Sequence, residues 1–186
     1  MRRIGRDNQQ GFTLGELLAT LAIAGIGLAL AVPGLQSLGH NNSQAAAVNQ
    51  LVGSLHLARS EAITRNRPVS LCASSTGTDC NSRDWNDGWI VFIDEDGNQL
   101  RDPTEALLAR MPPPELAVAS PEFAGALGYA ADGRLQDAPA GGGSFAFCAA
   151  GAVAAGRVVR LPASGLPVLL APSHEAARPA CGDGPK

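Results

Sequence analysis

The chain has 186 residues, 45% hydrophobic and 17% charged, with a formal net charge of -3, enough for one modest folded domain plus an appended segment but not for two domains with separate cores. The charge layout excludes a bulk-electrostatic nucleic-acid binder: six Arg stand against three acids in residues 1–78, three Arg against ten acids in 79–122, and five bases against four acids in 123–186. The middle of the chain presents an acidic surface, and any nucleic-acid contact needs a local basic patch towards the C-terminal end.

In chain order, Arg2, Arg3 and Arg6 precede a boundary at Gly11-Phe12, and beyond it Glu16 is the only formal charge before Arg59. The apolar run from Leu17 to Leu35 approaches the roughly 20 helical residues that cross a hydrocarbon core. The basic flank would then stay cytoplasmic and the rest would lie outside. A carboxylate in such a run costs about 2.5–3.5 kcal/mol at the bilayer centre and less near an interface, so Glu16 needs a counter-charge. A cut after Gly11 supplies one, because the new amine of Phe12 on a neighbouring subunit can sit against Glu16. Two plainer readings compete: a secretory signal peptide cut at Ala29-Leu30-Ala31, and an uncleaved single-span anchor. Glu16 inside the run, and a helical pattern that continues past Val32, weigh against the first. The second leaves the Gly-Phe-Thr-Leu-x-Glu string unexplained.

Val48, Leu51, Leu55, Ala58 and Ala62 recur at alternating steps of three and four, the stripe of an amphipathic helix. Pro68 supplies a stop. These signals predict one long helix from about Phe12 to Asn66, with Pro33 and Gly34 as a point of bending. Short apolar runs follow at Val69–Ala73, Trp89–Ile93, Leu107–Arg110, Phe145–Ala149, Arg157–Leu161 and Val168–Leu170, and they read as antiparallel strands. Pro112-Pro113-Pro114 and Gly141-Gly142-Gly143 mark loops. The expected architecture is α+β: a helix whose first half spans a membrane and whose second half lays its stripe on an antiparallel sheet. The segments are a leader over 1–11, a transmembrane and assembly helix over 12–38, and a head over 39–186, divided into amphipathic helix 39–66 and sheet region 68–186.

Cys72, Cys80, Cys148 and Cys181 form no CxxC pair and have no His at metal-ligand spacing. After an export-type leader they read as disulfides. The short Cys72/Cys80 spacing favours a local loop, and elimination leaves Cys148 with Cys181. Asp94, Asp96 and Asn98, with Asp102 and Glu105 beyond, offer oxygens around Gly97 as calcium loops do. The spacing does not fit a complete EF-hand, and Asp, Gly and Asn form hairpin turns unaided, so no metal is assigned. His40, His56 and His174 have no acid or nucleophile partner in sequence, and Trp85 and Trp89 read as core anchors. Neither an enzymatic activity nor a cofactor is expected.

The string Gly11-Phe12-Thr13-Leu14-Gly15-Glu16-Leu17-Leu18 resembles the type IV pilin class, whose leaders end in Gly before Phe-Thr-Leu-x-Glu and a long apolar helix. The resemblance implies that prepilin peptidase cuts after Gly11 and methylates Phe12, and that Glu16 aids assembly. Pro33 falls where the class commonly has a helix-distorting proline, while Gly15 stands where it usually has a bulky aliphatic residue. Asn49-Gln50-Leu51-Val52, Leu57-Ala58-Arg59-Ser60-Glu61-Ala62, Val69-Ser70-Leu71-Cys72-Ala73 and Asp87-Gly88-Trp89-Ile90-Val91-Phe92 narrow the resemblance to the GspH/FimT family of minor pilins and pseudopilins.

That family implies an inner-membrane, single-pass protein with a periplasmic head that becomes filament-associated. Its partners are other pilins through the N-terminal helix, prepilin peptidase and the inner-membrane assembly platform. The expected function is a minor pilin at the tip or priming complex of a type IV pilus; a type II secretion pseudopilin shares every feature. DNA-uptake members carry a Gly-Arg-x-Arg motif near the C-terminus, which Gly156-Arg157-Val158-Val159-Arg160 resembles with one extra residue. This adds double-stranded DNA as a candidate ligand of Arg157 and Arg160, helped by Arg134, Arg178 or Lys186. Strand alternation puts the two motif arginines on opposite faces unless a turn brings them together, and edge-strand arginines also discourage aggregation.

The intact mass of protein extracted from membranes is expected to match a chain that starts at Phe12 and carries one methyl group. A start at Val32 or Met1 overturns the processing scheme.

Overall fold

The computed structural model describes residues 13–148 and 156–170, without the side chains of 28–41. The chain divides into two compact units, Met1–Asn41 and Asn42–Lys186. Helix α1 (Leu14–Arg65) is 52 residues long. Thr13 starts it: its hydroxyl accepts from the backbone N–H of Glu16 at 3.3 Å and its carbonyl accepts from Leu17 N–H at 3.1 Å. Thr13-Leu14-Gly15-Glu16 has the spacing of a capping box. At the other end Asn66 adopts φ 51° and the N–H of Arg67 bonds the carbonyl of Ala62 at 3.2 Å, a left-handed cap of the kind Asn tolerates. Pro68 follows. Phe12, the expected first residue, lies outside the described residues, and the helix runs unbroken through Pro33-Gly34.

After α1 come β1 (Val69–Ala73), a short 3-10 turn (Trp85–Asp87), β2 (Trp89–Ile93), β3 (Leu107–Met111), β4 (Ala117–Ala119), β5 (Ala126–Tyr129), β6 (Leu135–Gln136), β7 (Gly143–Cys148), β8 (Arg157–Leu161) and β9 (Val168–Leu170). They form two antiparallel sheets, β3-β2-β1-β5-β6 and β4-β7-β8-β9. The sequence reading expected one sheet and missed β4, β5 and β6. Its run Phe145–Ala149 is β7, which begins at Gly143; Ala149 lies outside the described residues.

One core joins the three layers. Ala47, Val48, Leu51, Leu55, Ala58 and Ala62 of α1 are buried with Val69, Leu71, Trp89, Val91, Leu127 and Tyr129 of the first sheet and Val118, Phe145, Phe147, Val159 and Leu161 of the second. Both tryptophans are core anchors. The indole of Trp89 donates to Ser54 Oγ at 3.0 Å and that of Trp85 to the carbonyl of Phe123 at 2.8 Å. Trp85 also lies edge-on to Phe145, 5.2 Å between centroids, a favoured aromatic arrangement.

Loops fasten the sheets to each other and to the helix. Arg59 Nε donates to the carbonyl of Gly133 at 2.9 Å, Tyr129 Oη to the carbonyl of Gly165 at 3.1 Å, and Leu135 N–H to the carbonyl of Ala163 at 3.2 Å. Gly165 is at φ 79°, and a Cβ there would sit 2.4 Å from Gly133 O, so only glycine fits. Burial pushes the Tyr129 hydroxyl pKa above its ordinary range, against a smaller downward pull from Arg59.

Replacing Leu55, fully buried at the centre of the stripe, by Ala is expected to cost about 2–5 kcal/mol. Urea unfolding of the head beginning at Asn42 measures it.

Candidate assembly site

Residues 13–27 are exposed throughout. Leu14, Leu17, Leu18, Leu21, Ile23 and Ile26 are large apolar side chains open to solvent within the single chain. They point around the whole circumference of the helix. A helix apolar on all sides belongs inside a larger assembly or a bilayer, and Ala19, Ala22, Ala24, Gly25 and Gly27 between them allow other helices to approach closely. No helix among the described residues is long and apolar enough to cross a membrane, and the side chains of 28–41 that would complete such a span fall outside them. Gly11 and Phe12 also lie outside the described residues.

Glu16 is the one ionisable group on this surface. It stands in the first turn of α1, where the exposed N–H groups and the helix dipole favour a negative charge. Its backbone N–H is taken by Thr13, which fixes the turn and leaves the exposed carboxylate available to a positive group on another chain. Sequence reasoning assigned Glu16 its charge but missed Thr13 as its support; the Thr-x-x-Glu spacing was the available signal.

The other candidates are sorted by the head. Cys72 and Cys80 form a disulfide. Cys148 is also disulfide-bonded, and Cys181 lies outside the described residues. Carboxylate oxygens of Asp94, Asp96 and Glu105 converge within 4.8 Å, but they already act as acceptors in the turn. Asp94, fully buried, accepts from Ser70 Oγ at 2.5 Å and from the N–H groups of Asn98 and Gln99 at 3.1 and 3.0 Å. Glu105 accepts from the N–H groups of Glu95 and Asp102, and Asp96 from Asn98. Asn98 spends its side-chain oxygen on Leu100 N–H. Arg101 then ties the turn to the disulfide loop by donating to the carbonyls of Thr78 and Glu105.

Arg157 and Arg160 lie in the one uninterrupted strand β8. No turn separates them, so they face opposite sides of the sheet: Arg157 shares the parity of buried Val159 and is half-buried, whereas Arg160 is exposed. Arg134 is exposed too, next to Leu135, whose N–H bonds Ala163 just beyond β8. Arg178 and Lys186 lie outside the described residues. His56 is exposed on α1.

A long N-terminal helix, apolar and exposed at its start and packed on antiparallel sheets after residue 42, defines a pilin-type α+β protein. Residues 47–165 match the family described as type II transport protein GspH, and residues 6–32 match the prokaryotic N-terminal methylation motif. The chain belongs to the GspH family. Motif and family imply a membrane-anchored chain with a periplasmic head that interacts with other pilins. Among solved structures, the type IV minor pilin FimU of Pseudomonas aeruginosa is similar in two crystal forms: 24% identity, TM-score 0.58, covering 77% of this chain and 97% of that one, and 23% identity, TM-score 0.55, covering 74% and 98%. At that identity the likeness is one of fold. No curated protein matches the sequence. The family and these similar structures are described as transport proteins and pilins, not as enzymes.

Proposed function

We propose that this chain is a minor pilin of a type IV pilus. Prepilin peptidase cuts it after Gly11 and methylates Phe12, residues 12–38 hold it single-pass in the inner membrane, and the assembly platform lifts it into the tip or priming complex. The head, from about residue 39, stays periplasmic. The observation that carries this reading is the exposed apolar surface from Leu14 to Ile26 with one carboxylate, Glu16, held in its first turn. Apolar side chains pack against neighbouring helices, and Glu16 sets register by pairing with the amine of an adjacent Phe12. The type II secretion alternative is supported by the family description. Trp85, Trp89 and the Cys72–Cys80 loop resemble the pilus side of the family more closely, and the similar structures are minor pilins of that kind.

The Glu16→Ala variant is expected to be processed normally and to fall about tenfold or more in sheared filaments, the loss that roughly 1.4 kcal/mol of missing pairing produces. Recovery at the wild-type level removes the register role.

A DNA-binding reading is supported by Arg134 and Arg160, both exposed and neither in an ion pair among the described residues. Two phosphate contacts give log K a slope of about -2 against log salt. A salt-titrated gel shift with double-stranded DNA should show that slope and lose the shift in Arg134→Ala/Arg160→Ala. The absence of a shift at low salt leaves a purely structural subunit.

A further inference from the structure

The face of the first sheet that alternation turns away from the shared core carries a cross-strand row of Arg110, Ile90, Cys72 and Ala126, on β3, β2, β1 and β5. Cys72 and Ile90, with Phe92, are almost wholly buried in a small apolar cluster of their own, and Cys80, Leu107 and Ala126 pack against it. The loop closed by the Cys72–Cys80 disulfide thus covers part of this face. Beside it opens a cleft of about 410 Å3, lined by both cysteines, Leu100, Ala124, Ala126 and Arg83. Ligand sites of roughly 300–1,000 Å3 are mostly apolar, with a few placed polar groups, and this lining has that character.

The walls are held in place without a ligand. Gly125 is at φ 90°, and a Cβ there would sit 2.6 Å from the Cα of Arg83, so the two backbones come this close only because residue 125 is glycine. At another wall Leu100 N–H donates to Asn98 Oδ1 at 2.6 Å and Arg101 N–H to Cys80 Sγ at 3.2 Å, yet the Leu100 side chain is 57% exposed. Covering that side chain with an apolar group is favourable.

The charges around the cleft select the rest of the ligand. Asp79 accepts from the Thr78 hydroxyl at 3.1 Å, Asp84 from the backbone and side-chain amides of Asn86 at 2.9 and 2.6 Å, and Asp87 from the Ser82 hydroxyl at 2.7 Å. Arg83 is exposed and makes neither a hydrogen bond nor an ion pair among the described residues. One unpaired guanidinium beside an apolar cleft fits one carboxylate, which it can hold through two parallel bonds. The exposed acids of the flanking segment, Asp79, Asp84 and Asp87, repel a polyanion such as nucleic acid.

We propose that this cleft binds the C-terminal end of another protein chain, with the apolar side chain of its last residue on the disulfide, Ala126 and Leu100, and its terminal carboxylate on Arg83. A chain end supplies both groups from one residue, at the short separation that a guanidinium lining the cleft itself requires. An internal acidic segment would have to bring them on two adjoining side chains.

The full chain in lipid nanodiscs is titrated with two fluorescein-labelled hexapeptides of neutral sequence ending in Leu, one with a free terminal carboxylate and one amidated, and binding is read as anisotropy. The free acid should bind about fivefold more tightly, the upper range for an exposed ion pair. Arg83→Ala should remove that difference and leave the weaker binding of the amide unchanged, while Leu100→Asp, at an exposed position, should weaken both peptides. Equal binding of acid and amide overturns the proposal, as does a difference that survives Arg83→Ala. So does tighter binding of an amidated peptide with an internal Asp-Leu pair, of free octanoate, or of duplex DNA. No binding of the free acid at about 1 mM overturns it as well.

Discussion

Both sheets of the head depend on one stripe of α1. A sheet of short strands has an apolar face to cover, and here two sheets share a single cover, the row from Ala47 to Ala62. Small residues in that row, Ala47, Ala58 and Ala62, bring the helix backbone close enough for Trp89 to donate to Ser54 and for Arg59 to donate to Gly133. Both bonds come from side chains whose polar tips would be costly to bury unpaired. The packing therefore fixes the position of the helix along the sheets, and the indole and guanidinium bonds fix its rotation.

The same helix changes character along its length. Its head-side turns are amphipathic, whereas Leu14 to Ile26 is apolar on every side. Within the first segment, Thr13 and Glu16 combine two tasks. The cap satisfies N–H groups that a helix start leaves open, and it holds the lone carboxylate at the positive end of the helix dipole. An acid that would be expensive deeper in the run is thereby placed where its cost is lowest.

The amino-acid pattern made much of this legible. The steps of three and four from Val48 to Ala62 marked the buried stripe residue by residue, and the β-branched and aromatic runs gave β1, β2, β8 and β9 to the residue. It was silent on β4, β5 and β6. Ala117-Val118-Ala119, Ala126-Leu127-Gly128-Tyr129 and Leu135-Gln136 are short and rich in Ala and Gly, so they lie below any local strand signal and are held by neighbouring strands. Division into two sheets was hidden for the same reason, since β4 carries the crossing. At the candidate sites, residue type was readable and placement was not. The acids of the 94–105 turn could be read as ligands, but which backbone N–H groups they accept is decided by the fold of the turn. Alternation along β8 did foretell that Arg157 and Arg160 diverge, once no turn intervened.

The order in which the chain visits the two sheets has a consequence for how the head comes together. It lays β1, β2 and β3 in the first sheet, crosses to place β4 in the second, returns for β5 and β6, and crosses again for β7, β8 and β9. Neither sheet is a contiguous stretch of sequence: β4 interrupts the first, and that same strand, one edge of the second, is separated from β7, β8 and β9 by strands of the first. All five strands of the first sheet are present by Gln136, whereas β4 waits for β7 before it can pair, so the second sheet depends on a more distant pairing and is correspondingly slower to form. A subunit interrupted before Gly143 holds every strand of the first sheet but only β4 of the second, and leaves the shared core without Phe145, Phe147, Val159 and Leu161.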